Sequence, residues 1–112
     1  MVRAGVPLRG EVWVCAFPPH IGPHPAVVLT ENSIAQPLSA ITVAVITGSE
    51  GPARTHVPVG PESGLKKYDQ SYVNCADLHT VRKTHVRRRL GLVGLGELNN
   101  IEFALCVVLG LS

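Results

Sequence analysis

Residues 9–30, RGEVWVCAFPPHIGPHPAVVLT, decide how this chain reads. Val12, Val14 and Ala16 alternate with Trp13, Cys15 and Phe17, the period-two pattern of a strand, and an apolar run restarts at Pro25 and continues to Leu29. Two strands joined by a loop therefore open the fold, the second ending near Thr30. The loop is Pro18-Pro19-His20-Ile21-Gly22-Pro23-His24, and four prolines fall between Pro18 and Pro25. Proline fixes φ, so such a loop loses less entropy on folding and can hold side chains in place. Two of those side chains are imidazoles.

Outward from this stretch, Met1 to Leu8 is a short lead-in, mobile until Gly10 opens the first strand. Glu31 to Pro37 supplies turn residues with little periodicity and reads as a loop. Ala40 to Thr47, AITVAVIT, is β-branched and almost wholly apolar, which suits a central strand covered on both faces. Gly48 to Pro52 ends it. Arg54 to Val59 is a further short strand, with Pro58 tolerable at an edge. Short β runs separated by Gly/Pro turns indicate a small antiparallel barrel or sandwich. The period then changes. Leu98, Ile101, Leu105, Val108 and Leu109 fall on one helical stripe flanked by Phe103 and Val107, with Gly94 at the N-cap, Glu97 in the first turn and Gly110 as the stop. Phe103 reads as ordinary core.

At 112 residues the chain is long enough for one domain, 1–112, and too short for two. Apolar residues make up 46% and charged residues 16%, which favours an oligomer or a partner-covered face. The net charge of +2 is compatible with an RNA ligand without arguing for one. Cys15, Cys75 and Cys106 are odd in number and lack a C-x-x-C pair, so neither a disulfide framework nor a zinc site is indicated. No run of eighteen apolar residues and no export signal is present, so the expected place is the cytoplasm and not a membrane.

The order R-G-E-V-W, a proline-rich loop, then P-A-V-V-L resembles the amino-terminal signature of the MazF/PemK toxins, endoribonucleases of type II toxin–antitoxin systems. Ala44 to Thr47 resembles the end of that family's next strand and Thr55 to Pro58 the strand after it. Gly64-Leu65-Lys66 and Ser71 to Val73 resemble the following segment, and Glu97 to Leu111 the terminal helix. These matches cover nearly the whole chain in the right order. The resemblance implies an α+β fold, a small antiparallel SH3-like β-barrel of the CcdB/MazF type with a C-terminal helix. It also implies a homodimer that cuts single-stranded RNA at a short sequence without metal or other cofactor, neutralised by a cognate MazE-like antitoxin. Two alternatives stand beside it: a CcdB-like toxin acting on a protein such as gyrase, and a catalytically inactive binding module of the same fold.

Metal-free cleavage requires a base for the ribose 2′-hydroxyl, an acid for the leaving 5′-oxygen and donors for the charge on phosphorus. The resemblance assigns these duties to an arginine just before the P-A-V-V strand and to a threonine or serine at the end of the A-x-x-T strand. Thr47 matches the second. The arginine position holds His24. Arginine stays protonated and forks onto phosphate, whereas histidine changes charge within the physiological range and can take or give a proton. His24 is therefore an acid or base, or a weaker phosphate ligand helped by Arg54, Lys66 or Lys67, or the mark of an inactive site.

His20 stands four residues before His24, but Gly22 and Pro23 between them argue against a helical metal pair. Ser49 is a second hydroxyl beside Thr47, and His56 reaches the same cleft if its strand pairs nearby. Asp77 falls near a position where the family carries an amide thought to hold RNA; its plain reading is a turn aspartate. Arg82, Lys83, Arg87, Arg88 and Arg89 form a basic run, of which Arg82, Arg87 and Arg89 are candidate RNA contacts. Charge runs are also common on merely solvated faces. Trp13 is core or interface, and Tyr72 a possible stacking platform.

Overall fold

A computed structural model of the chain describes residues 6–66 and 70–111; Met1 to Gly5 of the lead-in, and Lys67, lie outside the described residues. The strands are β1 (Glu11–Ala16), β2 (Pro23–Val28), β3 (Ala40–Thr47), β4 (His56–Val59), β5 (Ser71–Arg82) and β6 (Val86–Leu92). The helices are the single turn α1 (Asn32–Ala35) and the terminal α2 (Leu95–Leu109). The strands form one antiparallel sheet in the order β4-β5-β3-β2-β1-β6. This is the expected α+β class. The hydrogen-bonded ladder is nevertheless open, since β4 and β6 are its two ends.

A turn covers the gap where a closed barrel would pair its edges. Residues Pro61–Ser63 form a 3-10 turn packed on β6. Gly64 has φ +80°, and a side chain there would run into the Leu90 carbonyl; one at Gly91 would run into the backbone of Glu62 and Ser63. Only glycine permits so close an approach of two backbones.

Because the sheet curls, both of its faces are covered, and alternation sorts residues into two cores. Val12, Val27, Ala44, Ile46, Val57, Val73 and Cys75 face the core beneath α2, which contributes Ile101 and Ala104. Trp13, Cys15, Phe17, Ala26, Val28, Ile41, Val43 and Val45 face the other core, joined by Ala35 of α1 and by Val81 and Val86. Trp13 is thus core, its indole N–H donating to Glu11 at 3.0 Å. Buried as they are, the Cys15 and Cys75 thiols are pushed up to about 11.

Helix α2 obeys its sequence signals. Glu97 accepts from the Gly94 N–H at 2.7 Å and from the Gly60 N–H at 2.6 Å, so one carboxylate caps the helix and fixes the turn before Pro61. Gly110, at φ +69°, ends the helix by donating back to the last turn.

Three local expectations are corrected. Glu31 to Pro37 is not all loop, because the Glu31 carboxylate accepts from the Ser33 and Ile34 N–H groups and nucleates α1. Pro23 and His24 belong to β2, opposite Ala16 and Cys15, so the proline-rich loop ends at Gly22. Phe103 is 73% exposed, because the buried stripe of α2 passes through Ile101 and Ala104.

Candidate active site

Adjacent antiparallel strands bring the first and last residues of β2 and β3 to one rim of the sheet. Ala26 lies opposite Val45, and carrying that register two residues further sets His24 across from Thr47. Both side chains line a cleft of about 400 Å³ together with Val14, Ser49, Lys66 and Arg88. The residues come from five separate parts of the chain. The sheet brings Val14, His24, Thr47 and Arg88 together, and the segments after β3 and after the Pro61–Ser63 turn add Ser49 and Lys66.

The His24 ring is oriented by its own strand's partner. Its Nε2 lies 2.6 Å from the Ile46 carbonyl oxygen. A carbonyl can only accept, so Nε2 carries a hydrogen and the neutral ring presents Nδ1 as its lone-pair nitrogen. Thr47 is also fixed: its Oγ1 accepts from the Ser49 N–H at 3.1 Å. The threonine O–H thus remains a donor without an acceptor among the described residues.

A second depression of about 360 Å³ adjoins the first, sharing His24 and Thr47 and extending to Ile21, His56, Asn74, Asp77 and His79. The β3–β5 register explains it. Ile46 pairs with Val73 while Ala44 pairs with Leu78, so β5 has extra residues opposite Val45 and bulges there. Bulges re-aim side chains at functional edges. Asp77 accepts from His79 Nε2 at 2.8 Å, and His79 in turn packs edge-on against Phe17 with ring centroids 5.0 Å apart.

The rim therefore gathers His24, Thr47, Ser49, Lys66, His56 and Asp77 of the sequence candidates. It does not gather the others. His20 is exposed in the turn before β2. Arg54 lines a different groove, with His56, Asn100 and Phe103 between β4 and α2. Arg82 pairs with Ala40, at the opposite end of β3 from Thr47 and about 20 Å along the strand. Arg87 lines neither depression, and Arg89 is engaged by Glu11 at 2.8 Å. Three rim residues were not singled out from the sequence, Arg88, Asn74 and His79. Arg88 was hidden in a run of like charges. Nothing in the sequence around His79 distinguishes it, since its place depends on the β5 bulge. Among the described residues, no group of three or more His, Cys, Asp or Glu stands together as metal ligands.

Residues 8–109 match the model of the PemK-like, MazF-like toxins of type II toxin–antitoxin systems. The chain belongs to this family. Endoribonuclease MazF4 of Mycobacterium tuberculosis and endoribonuclease MazF1 of Mycobacterium bovis are each 29% identical to it over 105 residues, 94% of both chains. Among solved structures, a mycobacterial endoribonuclease in complex with its cognate antitoxin superposes with a TM-score of 0.84 at 28% identity, over 96% of this chain and 98% of that one. MazE–MazF from Deinococcus radiodurans, at 19% identity and a TM-score of 0.79 over 96% and 99%, shares the fold.

Proposed function

We propose that this toxin cuts single-stranded RNA at the rim formed by β2 and β3, with His24 as the base and Thr47 as a phosphate donor. As a member of its family the chain is an endoribonuclease, and its curated relatives carry that name. The observation that supports the site is the juxtaposition of an imidazole with a free Nδ1, a hydroxyl with a free hydrogen, and cations in one open cleft.

The chemistry follows from those atoms. Nδ1 of His24 takes the proton of the ribose 2′-hydroxyl as that oxygen bonds to phosphorus, and the bond from phosphorus to the 5′-oxygen breaks. The 5′-oxygen takes a proton from water in the open cleft, and the imidazolium returns its own proton to the hydroxide left behind. The products are a 2′,3′-cyclic phosphate and a free 5′-hydroxyl. Thr47 donates to a phosphate oxygen whose charge grows during the step. The strand crosses both depressions, the phosphate in the cationic one and a neighbouring base beside Asn74, Asp77 and His79, whose acceptors and donors can meet a base edge.

The partners follow the family. A cognate antitoxin of acidic chemistry suits a cationic cleft, and a mycobacterial relative is known in complex with its own. Leu95, Phe103, Leu109 and Leu111 of α2 and its end are more than half exposed, which supports a homodimer. Among the described residues no helix is long and apolar enough to cross a membrane; with RNA as its substrate, the toxin is proposed to act in the cytoplasm.

Cleavage of a long mixed-sequence RNA in EDTA, with 5′ ends mapped, tests this reading. Cutting at one short motif, abolished by His24→Ala and weakened by Thr47→Ala, is the expected result. A folded wild-type protein that leaves many RNA sequences intact overturns it.

A further inference from the structure

His24 cannot do everything an arginine does at its position. Its Nε2–H is held by the Ile46 carbonyl, so the ring has one nitrogen left for substrate. When that nitrogen acts as a base it is neutral and can neither donate to the phosphate nor carry charge against it. The phosphoryl group becomes more negative during attack, so a second group must supply a fixed positive charge.

The fold narrows where that charge sits. Arg54 lies in the groove beside Phe103, Arg82 at the far end of β3, and Arg89 on Glu11. Among the described residues, Lys66 and Arg88 are the cations lining the cleft with His24 and Thr47. Arg88 stands on a strand, opposite Val14, whose other neighbour across the sheet is Pro25, the residue next to His24. It forms no ion pair with a described carboxylate.

The position of Arg88 is built by an irregularity. Cys15 pairs with Val86 and Val14 with Arg88, so Arg87 is an extra residue on β6. In a regular strand Val86 and Arg88 would share a face. The bulge breaks that phase: Val86 packs in the core with Trp13 and Cys15, while Arg88 joins Val14 and Leu90 at the cleft. A guanidinium with no ion pair among the described residues thus lines the same cleft as the His24 imidazole.

We propose that Arg88 is the phosphate-binding cation of this enzyme: the charge carried before the P-A-V-V strand in its family sits here one strand beyond β1, on β6, leaving His24 free for proton transfer. This rests on the endoribonuclease reading above. Arg88 contacts the non-bridging phosphate oxygens by two parallel N–H donors, a geometry that a lysine ammonium does not reproduce.

The test compares single-turnover cleavage of an RNA carrying the cut site with binding of the same strand bearing a 2′-deoxy sugar at that site. Arg88→Ala is expected to slow cleavage about 10²- to 10³-fold. It lowers the slope of log affinity against log salt by about one contact. Arg88→Lys recovers part of both, and the pH dependence of the residual rate persists, because His24 is intact. Arg87→Ala, next to it in sequence, keeps the cleavage rate within about threefold, as surface substitutions do. Circular dichroism checks that each variant is folded. If Arg88→Ala cuts as fast as a cutting wild type, or if Arg87→Ala and Arg88→Ala lose activity equally, the proposal is overturned and the endoribonuclease reading survives. If the wild type itself cuts no RNA, both fall together.

Discussion

The middle of the β2–β3 ladder and its rim have the same backbone geometry and opposite chemistry. In the middle, Ala26, Val28, Val43 and Val45 face one core while Val27 and Ala44 face the other, all nearly inaccessible. Two residues further on, the same register presents His24 and Thr47, each with one hydrogen bond made inward and further hydrogen-bonding capacity unused among the described residues. Among the described residues, no buried side-chain nitrogen or oxygen is left without a partner. The free capacity is concentrated where water reaches. The ladder fixes position, and the rim uses it.

If that division is right, changing the rim should remove activity and leave folding nearly untouched. His24→Ala is expected to lower the single-turnover rate about 10²- to 10⁴-fold. It should also remove the rise of rate with pH that a general base confers. Only the bond to the Ile46 carbonyl is lost from the fold, about 1 kcal/mol by urea denaturation. A variant that unfolded instead would make the rim part of the core, and the comparison would fail.

The converse change is Ile101→Ala, beneath α2 and fully buried. Truncating such a side chain costs about 2 to 5 kcal/mol of stability, depending on how far the site collapses. Activity per folded molecule should stay within about threefold. Equilibrium unfolding beside active-site titration separates the two quantities, and a large loss of rate in the folded fraction would show that core and rim are coupled.

Much of the middle was legible in the sequence, and less of the rim. Alternation in residues 12–17 and the β-branched run 40–47 fixed β1 and β3, and the stripe ending at Gly110 fixed α2. His24 and Thr47 stood out only through a family resemblance, and only the register places them face to face. The bulges could not be read, because a strand's period says which residues alternate and not where a partner strand skips one. Hence Arg87, Arg88 and Arg89 looked equivalent. In the fold one is an extra residue of a bulge, one lines the cleft and one is paired with Glu11. Phe103 was misplaced for a related reason: α2 is apolar on several sides, and its sequence does not say which side meets the sheet.

Glu97 tests a contact between the core and the turn that fills the open edge. Its carboxylate holds the Gly60 and Gly94 N–H groups together. Glu97→Ala leaves both donors without that acceptor and is expected to cost about 1 to 2 kcal/mol. Hydrogen exchange should quicken first at Gly60 and at the start of α2. Uniform acceleration across the sheet would mean that the turn and the ladder open as one unit.

The smallest effect expected is at Glu11, on the β1–β6 side of the sheet. Partial burial raises its carboxyl, but hydrogen bonds from the Leu8 N–H, from Arg89 and from the Trp13 indole outweigh this and hold it below the ordinary value. A carboxyl that titrates lower in the folded chain than in the unfolded one stabilises the fold above the unfolded pKa. That contribution disappears as pH falls through the folded value. The stability difference between wild type and Glu11→Gln should therefore be present at neutral pH and shrink below about pH 4, where carboxylates protonate. Measuring both by urea denaturation at the two pH values decides it. A difference that is the same at both would mean that Glu11 acts through packing on Trp13, and that the Arg89 pair contributes nothing measurable. In that case the only arginine of the run with a distinct task would be Arg88, and the contrast between it and its neighbour Arg89 would rest on the cleft alone.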